Sequence, residues 1–214
     1  MSAIESVTAV RPPRQRRSRE AWERILTAGT SLLEEGGPQA LTIAAVCARA
    51  DVAPTAIYAR VDGLAGLFWA VYDWRFAAVR EDEEAALAVA ELEPAGSRAR
   101  IEAVVSGLVG TFEAHRAFLE PIVRYSATDP AMRERAAQTS LALVDRVAAL
   151  LDGTSLTGGS DRAREVARLL HDERVIRVLY GPGWLAAAPE APETVAQFQA
   201  RLTALAIGLL NPSA

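Results

Sequence analysis

The stretch Leu41–Leu67, LTIAAVCARADVAPTAIYARVDGLAGL, constrains this chain more than any other. Thr42 can cap a short helix whose apolar positions, Ile43, Val46, Cys47 and Ala50, fall on one side. Asp51 breaks that helix and Val52 follows. Pro54 then opens a second helix in its first turn, where a missing N–H costs nothing. The second helix is only about two turns long and carries Ile57 and Tyr58. Two short helices joined by a tight turn make a helix-turn-helix, whose second member can enter the major groove of DNA.

The charge distribution agrees with a protein that meets phosphate at one end. Residues 11–19 hold five arginines and no acid, whereas from residue 20 onward 18 arginines face 26 carboxylates, a balance of −8. A basic arm beside an acidic body is an electrostatic footprint of nucleic-acid binding. No run approaches the roughly 18 apolar residues that a membrane helix needs, and no apolar segment follows the N-terminal basic residues as it would in a secretory signal. The expected location is the cytoplasm, with no membrane partner. The single cysteine, Cys47, excludes an internal disulfide and reads as a small apolar residue on the inward face of its helix.

Taken in order, residues 1–17 form a basic arm, expected to be disordered, in which Pro12 and Pro13 block regular structure. A first helix is expected from Ser18, with Trp22, Ile25, Leu26, Gly29, Leu32 and Leu33 on one apolar face, ending at Gly36-Gly37-Pro38. With the two motif helices it makes a domain over residues 18–62. A fourth helix follows from about Leu64 to Val89, apolar on two sides and so packed on two sides. Five more helices are expected near 98–115, 117–127, 130–151, 161–180 and 192–210, and no strands. The fold class is therefore all-α, about nine helices, with residues 63–214 forming a second, bundle-like domain.

The motif residues resemble those of TetR/AcrR-type transcriptional regulators. The matching positions are Thr42, Val46, Cys47, Ala50, Asp51, Val52 and Ala53, then Ala56, Ile57, Tyr58, Arg60, Val61 and Leu67. Three positions depart from the family pattern. Asp51 stands where glycine is usual, in a turn that often needs a positive φ; Val61 replaces an aromatic; Leu64 replaces a phosphate-contacting lysine.

The resemblance implies a homodimeric repressor, not an enzyme, that binds a pseudo-palindromic operator in double-stranded DNA and is released by a small-molecule inducer. Ala53, Pro54, Thr55 and Ala59 are expected to face base edges, and Thr42, Tyr58 and Arg60 to touch phosphates. Arg14, Arg16 and Arg17, placed just before the first helix, should add phosphate or minor-groove contacts. The last two helices would pair with their copies in the dimer. Their seam is expected at Leu169 and Ile176, and at Phe198, Leu202, Leu205 and Leu209, which follow three-four spacing. That spacing alone also allows pairing within one subunit.

No Walker loop, GxSxG, HExxH or GxGxxG occurs, and the two histidines, His115 and His171, are far apart in sequence. The cluster His171-Asp172-Glu173 points in different directions on a helix and makes a poor metal site. No metal and no cofactor is expected. A mostly apolar pocket between helices is expected at Trp74, Phe112, His115, Phe118, Arg124 and Tyr125, for a hydrophobic or aromatic guest. Gly107 and Gly110 thin the fifth helix, leaving either close packing or room for that guest. The competing possibility is a DNA-binding regulator without an inducer, controlled by a protein partner or by abundance.

Overall fold

The structure, a computed structural model, describes residues 10–11, 16–152, 159–182 and 191–210. Among these residues it is all-α, with nine helices and no strand. They are α1 (Arg16–Ala40), α2 (Ile43–Ala50), α3 (Pro54–Tyr58), α4 (Gly63–Glu91), α5 (Arg98–Ala114), α6 (Arg116–Ser126), α7 (Pro130–Leu151), α8 (Gly159–Tyr180) and α9 (Val195–Leu210). Two compact units divide inside α4, one running to Arg80 and the other starting at Glu81.

In the N-terminal unit, α1 packs on α2 and α3, and α2 packs on α3. Leu26, Leu33, Leu41, Val46, Ile57, Val61, Leu67 and Val71 make a dry core, each no more than 5% exposed. Gly29 lets the start of α4 approach α1. A Cβ there would lie 2.5 Å from a methyl of Val71, closer than two carbons can come. Val61, although smaller than the usual aromatic, is buried, whereas Leu64 is 44% exposed. Along α4 the residues Phe68, Tyr72 and Phe76 stack in succession at helical spacing, with centroids 6.4 and 5.4 Å apart.

The C-terminal unit has its own core. Leu87 of α4, Val104, Val105 and Leu108 of α5, Val147 and Leu151 of α7, Leu170 of α8 and Leu202 of α9 are all buried in one cluster. Helix starts follow local chemistry. Ser97 caps α5 by accepting from the Arg100 N–H, and Asp129 caps α7 from the Met132 N–H, just ahead of Pro130. Gly107 takes the close-packing alternative, because a Cβ on it would come within 2.9 Å of that of Ala86. Gly110 faces open space.

Several expectations need correcting. Helix α1 begins at Arg16, so Arg16 and Arg17 lie inside its first turn rather than before it. Its other end agrees with the expectation: the regular helix breaks at Gly37 (φ 68°), and only a short turn carries on through Pro38 to Ala40. Phe198 and Leu202 are 2% and 1% exposed in the chain's own core, so they are not free to line a seam with a second copy. The physical reason is that α9 packs on both α5 and α8 within the subunit, which uses up one of its faces. Trp74 belongs to the unit that ends at Arg80 and is 43% exposed, whereas the other residues expected around a guest belong to the second unit.

Candidate nucleic-acid interface

Thr42 is the N-cap of α2, its hydroxyl accepting from the Ala45 N–H at 3.1 Å. The helix closes at Asp51, which sits in the left-handed region (φ 51°, ψ 59°), the one non-glycine residue to do so among those described. Its N–H is returned to the Cys47 carbonyl. The conformation that the turn demanded is therefore adopted by aspartate without a glycine. Arg24 of α1 donates to the Ala50 carbonyl at 3.1 Å, tying the end of α2 back to α1. Arg49 makes a paired contact with Glu35 at 2.7 and 2.8 Å, which spends that cation on the protein.

Helix α3 is five residues long with Ala53 as N-cap and Pro54 at its first position. Ile57 is fully buried and fixes the rotation of the helix. Ala53, Pro54, Thr55, Tyr58 and Ala59 consequently face outward, with Tyr58 52% exposed. Arg60 is half-buried; its Nη1 donates to the Arg11 carbonyl at 3.0 Å and its Nη2 donates to the Ser18 hydroxyl. Arg11, Arg16 and Arg17 are exposed, while Arg14 lies outside the described residues.

Residues 25–70 match the family described as bacterial regulatory proteins, tetR family. This segment is a tetR-family DNA-binding domain. Solved structures of the same overall fold include a TetR-like transcriptional regulator from Rhodococcus sp. RHA1, with a TM-score of 0.66 at 19% identity, covering 95% of this chain and 100% of that one. A second transcriptional regulator from Rhodococcus sp. Rha1 gives 0.64 at 18% identity, over 89% and 95% of the two chains. Salmonella enterica GusR gives 0.61 at 19%, over 93% and 98%. No curated protein matches the sequence. The chain thus carries a tetR-family DNA-binding segment within a fold shared with TetR-like regulators, and among the described residues no helix is long and apolar enough to cross a membrane.

The side chains expected around a guest in the C-terminal unit have protein partners. Phe118 is fully buried and Phe112 is 9% exposed. His115 Nε2 lies 2.8 Å from Asp82, the Tyr125 hydroxyl donates to Asp129 at 2.9 Å, and Arg124 donates to Glu120 and the Leu179 carbonyl. Arg124 is exposed rather than facing the interior. A cleft of about 280 Å³ lies instead at Asp145, Ala148, Ala149, Asp152, Asp161 and Arg164, where Arg164 pairs with Asp145 at 2.7 Å. Among the described residues no cluster of His, Cys, Asp and Glu could hold a metal ion.

Sequence reasoning missed Arg174. It is 1% exposed on α8, donating to the Leu170 and Leu108 carbonyls and to His171 Nδ1, with its guanidinium 4.8 Å from the Phe112 ring centre. Burial pulls its pKa down to about 10, with Glu83 acting the other way, so it stays charged at neutral pH. Burial first and the Arg174 charge second pull His171 down to about 4. A signal was present. Val166, Leu170, Arg174 and Val178 recur every fourth residue, which puts the arginine on the buried stripe.

Proposed function

We propose that this TetR-type regulator is a homodimeric repressor that reads a pseudo-palindromic operator with α3. The observation that supports this reading is the outward face of α3: Pro54, Thr55, Tyr58 and Ala59 are exposed around a buried Ile57, beside the exposed cations Arg16 and Arg17. Small side chains at Ala53, Pro54 and Ala59 offer few bidentate base contacts, so recognition leans on methyl contacts and on DNA shape. Thr42 and Tyr58 fix the register against phosphates, as does the basic arm with Arg14, Arg16 and Arg17.

Dimerisation uses the exposed Leu205 and Leu209 of α9, 39% and 45% exposed, together with the half-buried Leu169 and Ile176 of α8. Footprinting on a duplex selected from a random-sequence pool tests the dimer and the operator together. The expected footprint has two half-sites about 34–36 Å apart on one face of the DNA. A single protected half-site at saturation contradicts it.

Release by an apolar or aromatic inducer is the finer part of the reading, with Phe112, His115, Phe118 and Tyr125 as its lining. The partners already held by His115, Tyr125 and Arg124 favour the other reading, a regulator controlled without a small molecule. Linkage separates the two. An inducer must bind operator-bound protein more weakly than free protein, by the same factor that it weakens DNA binding.

A further inference from the structure

The N-terminal unit holds a clasp that neither the helix-turn-helix pattern nor the outward face of α3 accounts for. Arg11, far from the motif in sequence, meets the exit of α3 at four points. Its N–H donates to the Arg60 carbonyl at 3.0 Å, and its carbonyl accepts from Arg60 Nη1 at 3.0 Å. Its guanidinium donates to the Tyr58 carbonyl at 3.3 Å and pairs with Asp62 at 2.7 Å. Arg60 completes the clasp by donating from Nη2 to Ser18 in the first turns of α1.

The exposed ion pair alone would hold little, since solvent screens both partners. The reciprocal pair between Arg11 and Arg60 is different in kind. One bond is main chain to main chain, the other a charge-assisted bond to the same residue's carbonyl, and together they fix both position and direction of the chain. Arg60 then reaches Ser18 with its second terminal nitrogen. One planar guanidinium thus spans the arm and the start of α1, a geometry that a single ammonium point charge does not reproduce.

The clasp sets solvent-facing cations beside α3, Arg11 among them, whose exposed pairing with Asp62 is weak. Arg11 and Arg17 are exposed, and the Arg16 side chain is 87% exposed with only the weak pairing to Glu20 along its own helix. Both carbonyl contacts of Arg11 fall within the last residues of α3 and its exit, Tyr58 and Arg60, so the arm is fastened to the DNA-reading helix itself. A basic segment fastened there meets the backbone flanking the site that α3 reads. It also loses less freedom on binding than a loose tail does.

We infer that Arg60 is a positioning residue: it acts on DNA affinity by docking Arg11 and the start of α1 beside α3, rather than by a phosphate contact of its own. This inference rests on the DNA-reading role of α3 set out above. The two failures are separable, because one concerns whether duplex binding occurs and the other concerns which residue carries its salt dependence.

The test is fluorescence anisotropy on a duplex selected from a random-sequence pool, over a salt series, with melting curves as a control for folding. Arg60→Lys keeps the charge and removes the two-ended bridge. It should weaken binding nearly as much as Arg60→Ala, and both should flatten the salt slope by about two to three units, one for each arm cation that is no longer placed. The triple variant Arg11→Ala, Arg16→Ala, Arg17→Ala should lose a similar factor, and adding Arg60→Ala to it should cost little more. Ser18→Ala, which leaves every charge in place, should produce a smaller loss in the same direction. Wild-type affinity and slope in Arg60→Lys, or full additivity of Arg60→Ala with the triple variant, overturns the positioning role while leaving duplex binding intact. Absence of salt-dependent duplex binding by the wild-type chain overturns the DNA-reading role, and this inference with it.

Discussion

At the scale of single residues, two positions depart from what their type prefers, and each carries a measurable consequence. Asp51 sits in the left-handed region, which costs an L-residue about 1–2 kcal/mol and aspartate somewhat less. Asp51→Gly should therefore raise stability by roughly 0.5–1 kcal/mol, and Asp51→Val should lower it by about 1–3 kcal/mol, both read by urea unfolding. His171 is the second. Arg174 can only donate, so His171 Nδ1 must accept, which keeps the ring neutral with its proton on Nε2. Its folded pKa of about 4 lies below the ordinary value of 6.5, so the unfolded chain binds more protons between those pH values. Stability should fall as pH drops from 6.5 towards 4, by up to about 3 kcal/mol from this group. His171→Gln should remove that part of the loss, and an unchanged pH profile in the variant would contradict the assignment.

At the scale of elements, periodicity located the helices well because each buries a stripe at helical spacing. The α1 residues Trp22, Ile25, Leu26, Leu32 and Leu33 are all buried, as their spacing requires. The positive φ at Asp51 was legible only through the resemblance, which puts glycine at that turn. Two things were not. An arginine at a core position of α8 breaks the polar-outside rule, so Arg174 was overlooked despite its four-residue spacing from Leu170. The three-four spacing of α9 does not say whether its partner lies in the same subunit, and Phe198 and Leu202 turn out to serve the internal core. Arg177 and Arg201 stack on the Phe198 ring at 4.5 and 5.2 Å, covering that side of the core with cations. Leu202→Ala should accordingly cost about 2–5 kcal/mol of stability, as a cavity in a packed interior does. Leu205→Asp should leave the melting transition nearly unchanged and lower the association state seen by light scattering. The opposite pattern would exchange the roles of the two leucines.

At the scale of the whole molecule, the division of labour follows from charge and packing together. The unit ending at Arg80 spends its apolar side chains on positioning a five-residue helix and leaves that helix's outer face bare. The unit from Glu81 encloses a separate core with charged groups buried in it, Arg174 and Arg177 among them. A regulator needs only that the first unit bind DNA in a sequence-dependent way. The direct measurement is anisotropy with the full chain on its selected duplex and on a scrambled duplex, comparing the wild type with Ala59→Glu. Ala59 is exposed, so the added carboxylate leaves the fold intact while setting a negative charge against the DNA. The selected duplex should bind about 10³-fold or more tightly than the scrambled one. Ala59→Glu should abolish that preference with an unchanged melting curve. Equal affinity for both duplexes, or wild-type discrimination by Ala59→Glu, would contradict the assignment of α3 as the helix that reads the operator.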